Sequence, residues 1–352
     1  MAKVSDLPNE ILYKILSHFP THGRDMYNIC LTSRFLYAAA IPIYTRRCSF
    51  RRKPKRGSPA CFVAGVLRRQ ISACIRELCL ENWQVRRFPL GGWSYLTDEN
   101  TRQCLCRAAE EFQFPSEITG EWKLALDDAL EDAVFALLLL LADGLEKLVL
   151  SLPFTGSNQT PWLFRLLRVA QEIPLSVQPR GLQNLHDVRL ESSSRQMFFD
   201  LDLVLPLFRL PALRTFRASQ CIGSRATCSW EWPQGISPVE SITFKNSRLD
   251  AGSINVLFGA CGGIKKFRLH WSREWRDKKT DWIYGDFDHS VLEAALRSQA
   301  ASLESFEFID ESYGTSDHYR RNCLPLMTDV SPLLCLIELP CLKSVKLPPA
   351  WL

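Results

Sequence analysis

One arrangement of positions recurs along the chain: apolar, two variable, apolar, one variable, apolar. It reads "IRELCL" from Ile75, "LEKLVL" from Leu145, "LHDVRL" from Leu185, "LRTFRA" from Leu213, "VESITF" from Val239, "IKKFRL" from Ile264, "LESFEF" from Leu303 and "LKSVKL" from Leu342. The alternation that closes each copy has the two-residue period of a strand with one buried and one wet face, so eight short strands are predicted. Helical periodicity fills the stretches between them: Thr97 to Phe112, Asp127 to Ala142, Pro161 to Ile173, Gln196 to Leu210, Ser253 to Ala260, Ser290 to Ala300 and Ser331 to Leu339. Ser290 stands three residues before Glu293, the spacing of a capping box.

The returns from helix to strand are short, as in "ADG" before Leu145 and "CGG" before Ile264, whereas the segments after each strand are long and irregular. Short returns lay each strand parallel to the last and gather the long insertions on one rim.

Strands of this pattern alternating with helices resemble leucine-rich repeats. The family's Asn or Cys, eight positions after the first apolar residue, is matched by Cys221. Elsewhere that position holds Trp83, Pro153, Ser193, Ser247, Ser272 or Glu311, and the repeats are 25 to 70 residues apart, so the array is degenerate. The longest gap leaves room for a further repeat near Trp122.

The first 45 residues follow a different pattern. In "LPNEILYKILSHFP" Pro8 presets a first helical turn, and Ile11, Ile15 and Phe19 recur at fours with Leu12 and Leu16 beside them, which is one broad apolar face. Met26, Ile29 and Cys30 or Leu31 space a second helix, Thr32 or Ser33 caps a third through Ala40, and Pro42 is expected to end it. Three helices in so short a segment carry more apolar surface than they can bury alone, so the repeats or a partner must cover it.

Leu7-Pro8-x-Glu10-Ile11-Leu12, Ile15-Leu16, Leu31-x-Ser33-Arg34-Phe35 and Pro42-x-Tyr44 resemble an F-box, and the combination with irregular repeats is similar to fungal F-box proteins. The resemblance implies docking on a Skp-type adaptor, and through it a cullin, in a ubiquitin ligase, with Leu7, Pro8, Ile11, Leu12, Ile15, Leu16, Leu31 and Phe35 facing the adaptor and the repeats binding a protein target. A scaffold that holds an adaptor without directing ubiquitylation is the alternative. The "PTHGRD" link lacks the apolar residue often found near its end. The expected fold class is α/β, an N-terminal three-helix F-box followed by an irregular leucine-rich-repeat solenoid with parallel strands on the concave face and helices on the convex face. Its expected divisions are 1–45 for docking, 46–69 for a basic linker and connecting segment, and 70–352 for the repeats.

Composition changes this picture little. The chain has 352 residues, 46% of them hydrophobic, which is globular composition, and its net charge of +5 does not point to nucleic acid. Thirteen cysteines, an odd number scattered through apolar contexts, read as reduced thiols of the cytoplasm or nucleus. "AVFALLLLLA", Ala133 to Ala142, is half the length of a membrane span and reads as a buried helix.

Seven Arg or Lys between Arg46 and Arg56 suit an import signal, a phosphate-binding strip or an extended linker. On the strands, the residue between the last two apolar positions points away from the core, giving Cys79, Val149, Arg189, Arg217, Thr243, Arg268, Glu307 and Lys346 in order. Arg189, Arg217 and Arg268 would then line one stripe, with Lys245, Lys266 and His270 near its later end and Asp187 and Glu191 partly neutralising the earlier one. Such a stripe can fork onto carboxylates or phosphates, or be ordinary charged surface. Trp271, Trp275 and Trp282, with Tyr284 and Phe287, lie in a long rim insertion and either bind a target or pin their own loop, as do Trp230 and Trp232.

No phosphate-loop, nucleophile-elbow, paired CxxC or His-Glu-x-x-His pattern occurs, and Pro20 breaks the helix that would align His18 with His22 on a metal. A non-catalytic protein without cofactor or metal is the expectation.

Overall fold

The computed structural model describes residues 4, 7–19, 24–50, 59–81, 98–152, 160–172, 180–192, 198–223, 235–271, 288–310 and 334–347. The chain is α/β and divides into two compact units, Met1–Val149 with Gln159–Leu185, and Leu150–Asn158 with His186–Leu352. No helix among the described residues is long and apolar enough to cross a membrane.

The first unit opens with α1 (Asn9–Ser17), α2 (Arg24–Thr32) and α3 (Arg34–Tyr44). Pro8 stands at the N-cap of α1 with φ −55, a value its ring already imposes. Ser33 caps α3, its hydroxyl accepting from the Leu36 N–H at 3.1 Å. Pro42 does not end α3 but lies inside its last turn. The missing N–H costs one intrahelical bond there, and the turn closes behind it because the Thr45 N–H and hydroxyl both donate to the Ile41 carbonyl, at 2.9 and 2.7 Å.

The segment 46–69, expected to be a linker, holds secondary structure at both described ends: β1 (Arg47–Phe50) and α4 (Pro59–Arg69). Strand β1 pairs in parallel with β2 (Glu77–Leu80), Cys48 beside Leu78 and Phe50 beside Leu80. It is therefore a further copy of the recurring pattern, hidden because Thr45 occupies the first apolar position. Thr45 is buried there, its hydroxyl satisfied by α3.

After β2 come α5 (Glu99–Glu110), α6 (Ser116–Asp127), α7 (Glu131–Leu141), β3 (Lys147–Leu152), which straddles the division, and α8 (Trp162–Glu172). Around Trp122 the long gap holds α6, a helix rather than another strand, and the Trp122 indole is fully buried with its N–H on the Ala133 carbonyl at 3.2 Å. Glycine is required at the return before β3, where a Cβ on Gly144 would lie 2.3 Å from the Ala73 carbonyl oxygen.

In the second unit the elements are β4 (Asp187–Ser192), β5 (Phe199–Asp200), α9 (Leu201–Val204), β6 (Thr215–Ser219), β7 (Cys221–Gly223), β8 (Ser241–Leu249), α10 (Ala251–Ala260), β9 (Lys266–Trp271), α11 (His289–Ser298), β10 (Ser305–Asp310) and β11 (Ser344–Lys346). Strands β4, β6, β8, β9, β10 and β11 lie side by side in that order, every pair parallel. All eight predicted strands are present. Two predicted helices are not: 196–210 breaks into β5, the single turn α9 and a 3-10 stretch at Leu205–Arg209, and the described part of 331–339 is a 3-10 turn at Leu334–Glu338. Pro206 explains the first break, since its ring removes the N–H that an α-helix would use.

One backbone device joins successive copies. The carbonyl just before each strand accepts two N–H groups from the next copy, Arg214 and Thr215 on His186, Glu240 and Ser241 on Arg214, Lys265 and Lys266 on Glu240, Glu304 and Ser305 on Lys265, and Lys343 and Ser344 on Glu304, all at 2.8 to 3.1 Å. In the first unit Arg46 and Arg76 do the same for the strands that follow them. The inward residues of the pattern then stack into a core, and Phe216, Phe244, Phe267 and Phe306 succeed one another with ring centroids 6.0 to 6.4 Å apart.

Buried polar groups tie helices to strands. Asp288, not Ser290, caps α11, accepting from the Ser290 and Val291 N–H groups at 3.0 and 3.2 Å. Gln299, 5% exposed, donates to the Phe258 and Cys261 carbonyls and accepts from the Ile264 N–H at 2.8 Å, closing the end of α10 and the start of β9 together. Replacing it with Ala orphans these groups, and Gln299→Ala should cost about 2–4 kcal/mol of stability, measured by urea unfolding.

Asp132, at the start of α7, is 2% exposed. One carboxylate oxygen accepts from the Trp162 N–H at 3.1 Å, while the other has no partner. Burial pushes its pKa from 3.8 up to about 7, against the opposing pull of backbone N–H groups. A raised folded-state pKa means full stability below about pH 4, progressively lost as pH rises through about 7, by up to about 4 kcal/mol. Asp132→Asn retains the acceptor without the charge. It should raise stability clearly at pH 8 and much less at about pH 4, and an equal difference at both pH values would refute this origin.

Candidate functional site

Helices α1 to α3 enclose a small core of their own, Leu12, Leu16, Met26, Ala40 and Ile43, with Phe19, Ile29, Cys30, Leu36 and Ala39 packed around it. The 3.6-residue period decides what is left outside. With Leu12 and Leu16 turned inward, Ile11 and Ile15, a residue earlier in each turn, are thrown onto the opposite edge of α1 and stay 46% and 45% exposed. Leu7 and Pro8 continue that edge before the helix, also exposed.

Beside them a shallow depression of about 450 Å³ is lined by Ile11, Lys14, Ile15, His18 and Phe19. Leu31 on α2 is 67% exposed and Phe35 on α3 39%.

Six of the eight residues expected to face an adaptor are thus open to solvent. Leu12 and Leu16 are corrected: they are 2% and 3% exposed and hold the bundle together. The resemblance runs through inward and outward positions alike and does not separate them; only the helical phase does.

Tyr27, four residues before Leu31 on α2, is a further exposed aromatic that the sequence reading passed over, and its i, i+4 relation to Leu31 was the available signal. Tyr13 is also exposed, but partial burial pushes its hydroxyl pKa up, and the Cys74 thiol adds to the shift. Of the "PTHGRD" link, 20–23 fall outside the described residues.

The second candidate surface is the exposed face of the strands in the second unit. Arg189, Arg217, Thr243, Arg268, Glu307 and Lys346 are successive register partners on β4, β6, β8, β9, β10 and β11 and form one row. The row before it reads Asp187, Thr215, Ser241, Lys266, Ser305 and Ser344.

The predicted stripe therefore exists, but its charges are paired unevenly. Arg217 meets Asp187 at 3.4 Å and Arg189 meets Glu191 at 2.5 Å. Glu307 alone holds Arg268, Lys346 at 3.3 Å and His270 at 3.6 Å. Partial burial pushes the Glu307 pKa up, and the hydrogen bonds from Lys346 and Arg268 outweigh it, keeping the carboxyl below its usual range.

A bulge interrupts β8 where Phe244 faces Leu269 but Ser247 faces Trp271, so Lys245 and Asn246 together oppose His270. Asn246 adopts φ 46, the left-handed region that Asn tolerates, and both bulge residues are exposed. The Ser247 hydroxyl accepts from the Cys221 N–H at 3.1 Å and donates to the Lys245 carbonyl at 2.8 Å, holding the kink from beneath.

Trp271 ends β9 half-buried. Trp275 and Trp282, with Trp230, Trp232, Tyr284, Phe287 and the basic residues 51–56, lie outside the described residues. Among the described residues no group of three or more His, Cys, Asp or Glu could hold a metal ion.

Comparison of the chain with protein-family models and with curated proteins gives no match. Function must then be argued from these two surfaces.

If the helical phase divides α1 as described, Leu16→Ala should cost about 2–5 kcal/mol while Ile15→Ala stays within about 0.5 kcal/mol, as read from thermal melts of the full chain.

Proposed function

We propose that the chain is a non-catalytic substrate receptor, an F-box protein with degenerate leucine-rich repeats whose α1 to α3 dock on a Skp-type adaptor of a cullin-RING ubiquitin ligase. One observation carries this: the three helices complete a core without Leu7, Ile11, Ile15, Leu31 and Phe35, which stay at the surface. Side chains of this size exposed together on short helices are what a helix-in-groove contact uses, with buried aliphatic and aromatic anchors supplying most of the energy. The adaptor-facing set becomes Leu7, Pro8, Ile11, Ile15, Leu31 and Phe35.

The exposed strand face is then the surface that captures a protein target. In this role the chain contributes proximity and orientation, and the chemistry belongs to other subunits.

Ile11→Asp with Ile15→Asp should abolish retention of a purified Skp-type adaptor and recruitment of its cullin, with the melting temperature of the chain unchanged. Unaltered retention by this double variant would overturn the docking reading. Adaptor retention without cullin recruitment would favour a scaffold instead.

A further inference from the structure

We propose that the strand face from β8 to β11 binds a protein segment rich in Asp and Glu. The inference rests on reading this face as the capture surface and names the class of target it takes.

The two ends of the face differ in charge balance. On β4 and β6, Arg189 and Arg217 are answered by Glu191 and Asp187. Within β8 to β11 the outward positions carry Lys245, Lys266, Arg268 and Lys346 against Glu307, with Glu304, just before β10, also acting on Lys266. Lys245 and Lys266, both exposed, form no ion pair among the described residues. Arg268 spends only its Nε on Glu307, which fixes the guanidinium while its two terminal nitrogens remain available as a fork for a carboxylate.

Between these cations the floor is low. Ser241, Thr243 and Ser305 are short hydroxyl side chains beside Lys266 and Arg268 on β9 and Lys346 on β11, so a chain laid across the strands, which lie about 4.8 Å apart, can reach these cations over a low floor. The bulge at Lys245 and Asn246 sets one lysine and one carboxamide at its margin. No Phe, Tyr or Trp occurs among the described residues of the two rows, and single-stranded nucleic acid would need such rings to stack on. The complement of this surface is therefore a chain of carboxylates.

The test is fluorescence anisotropy of the full chain with a labelled twelve-residue peptide of mixed Asp and Glu. Binding should weaken about tenfold or more between about 50 and 300 mM salt, as exposed charge pairs are screened. Lys245→Ala with Lys266→Ala should weaken it about tenfold, and adding Arg268→Ala should weaken it further, whereas Arg189→Ala should change it less than about threefold.

Equal losses at Arg189 and at the lysine pair, salt-insensitive binding, or preference for a phosphopeptide or oligonucleotide of equal charge would overturn the proposal. Adaptor retention by the same samples reports on folding and separates the two readings. Peptide binding lost with adaptor retention intact would remove the ligand class alone, while the reverse would remove the ligase reading alone.

Discussion

Among the described residues, seven copies of the strand pattern, β2, β3, β6, β8, β9, β10 and β11, depend on a carbonyl that belongs to the copy before. Because that oxygen takes two N–H groups at once, it fixes both the lateral position and the direction of the next strand before any side chain is considered. The register follows from it, and so does the division of residues: three apolar positions turn inward to the helices and the intervening ones are left in rows on the other side. A buried strand whose N–H groups found no such carbonyl would lose a kilocalorie or more for each one orphaned. The arrangement is therefore held by backbone first, and the aromatic succession from Phe216 to Phe306 fills the space the backbone defines.

The sequence made the strands legible because burial is demanded at three spaced positions, and all eight copies found that way are strands. The ninth, β1, escaped because Thr45 meets the same demand by hydrogen-bonding to the helix behind it, a solution that apolar pattern matching does not see. Charge concealed α4 next to a basic run, and Pro206 reduced a helix-periodic stretch to short turns. Candidate docking residues were legible as a set, but not their separation into Leu12 and Leu16 inside against Ile11 and Ile15 outside, since both pairs suit one amphipathic face until a second helix chooses the phase. Likewise the arginine row was readable from register alone, whereas the use of Glu307 as a common partner for Arg268, Lys346 and His270 was not.

Polar burial is handled differently at the two buried groups that stand out. Gln299 makes its full set of bonds and locks α10, β9 and α11 into one arrangement. Asp132 leaves one oxygen unanswered, so the same kind of helix-to-helix tie in the first unit is weakened as the solution becomes more alkaline. The contrast separates a network that only stabilises from one whose strength depends on a proton.

The paired-acceptor carbonyl also bears on how such a chain can change over time. The oxygen belongs to the main chain, so the side chains at His186, Arg214, Glu240, Lys265 and Glu304 are free of the task that their backbone performs. The same holds for the outward rows, where lettering can be rewritten residue by residue at little cost to the scaffold. A new charge pattern is thus reachable by single substitutions that leave every strand in place. In such an architecture the surface vocabulary can drift much faster than the skeleton that displays it.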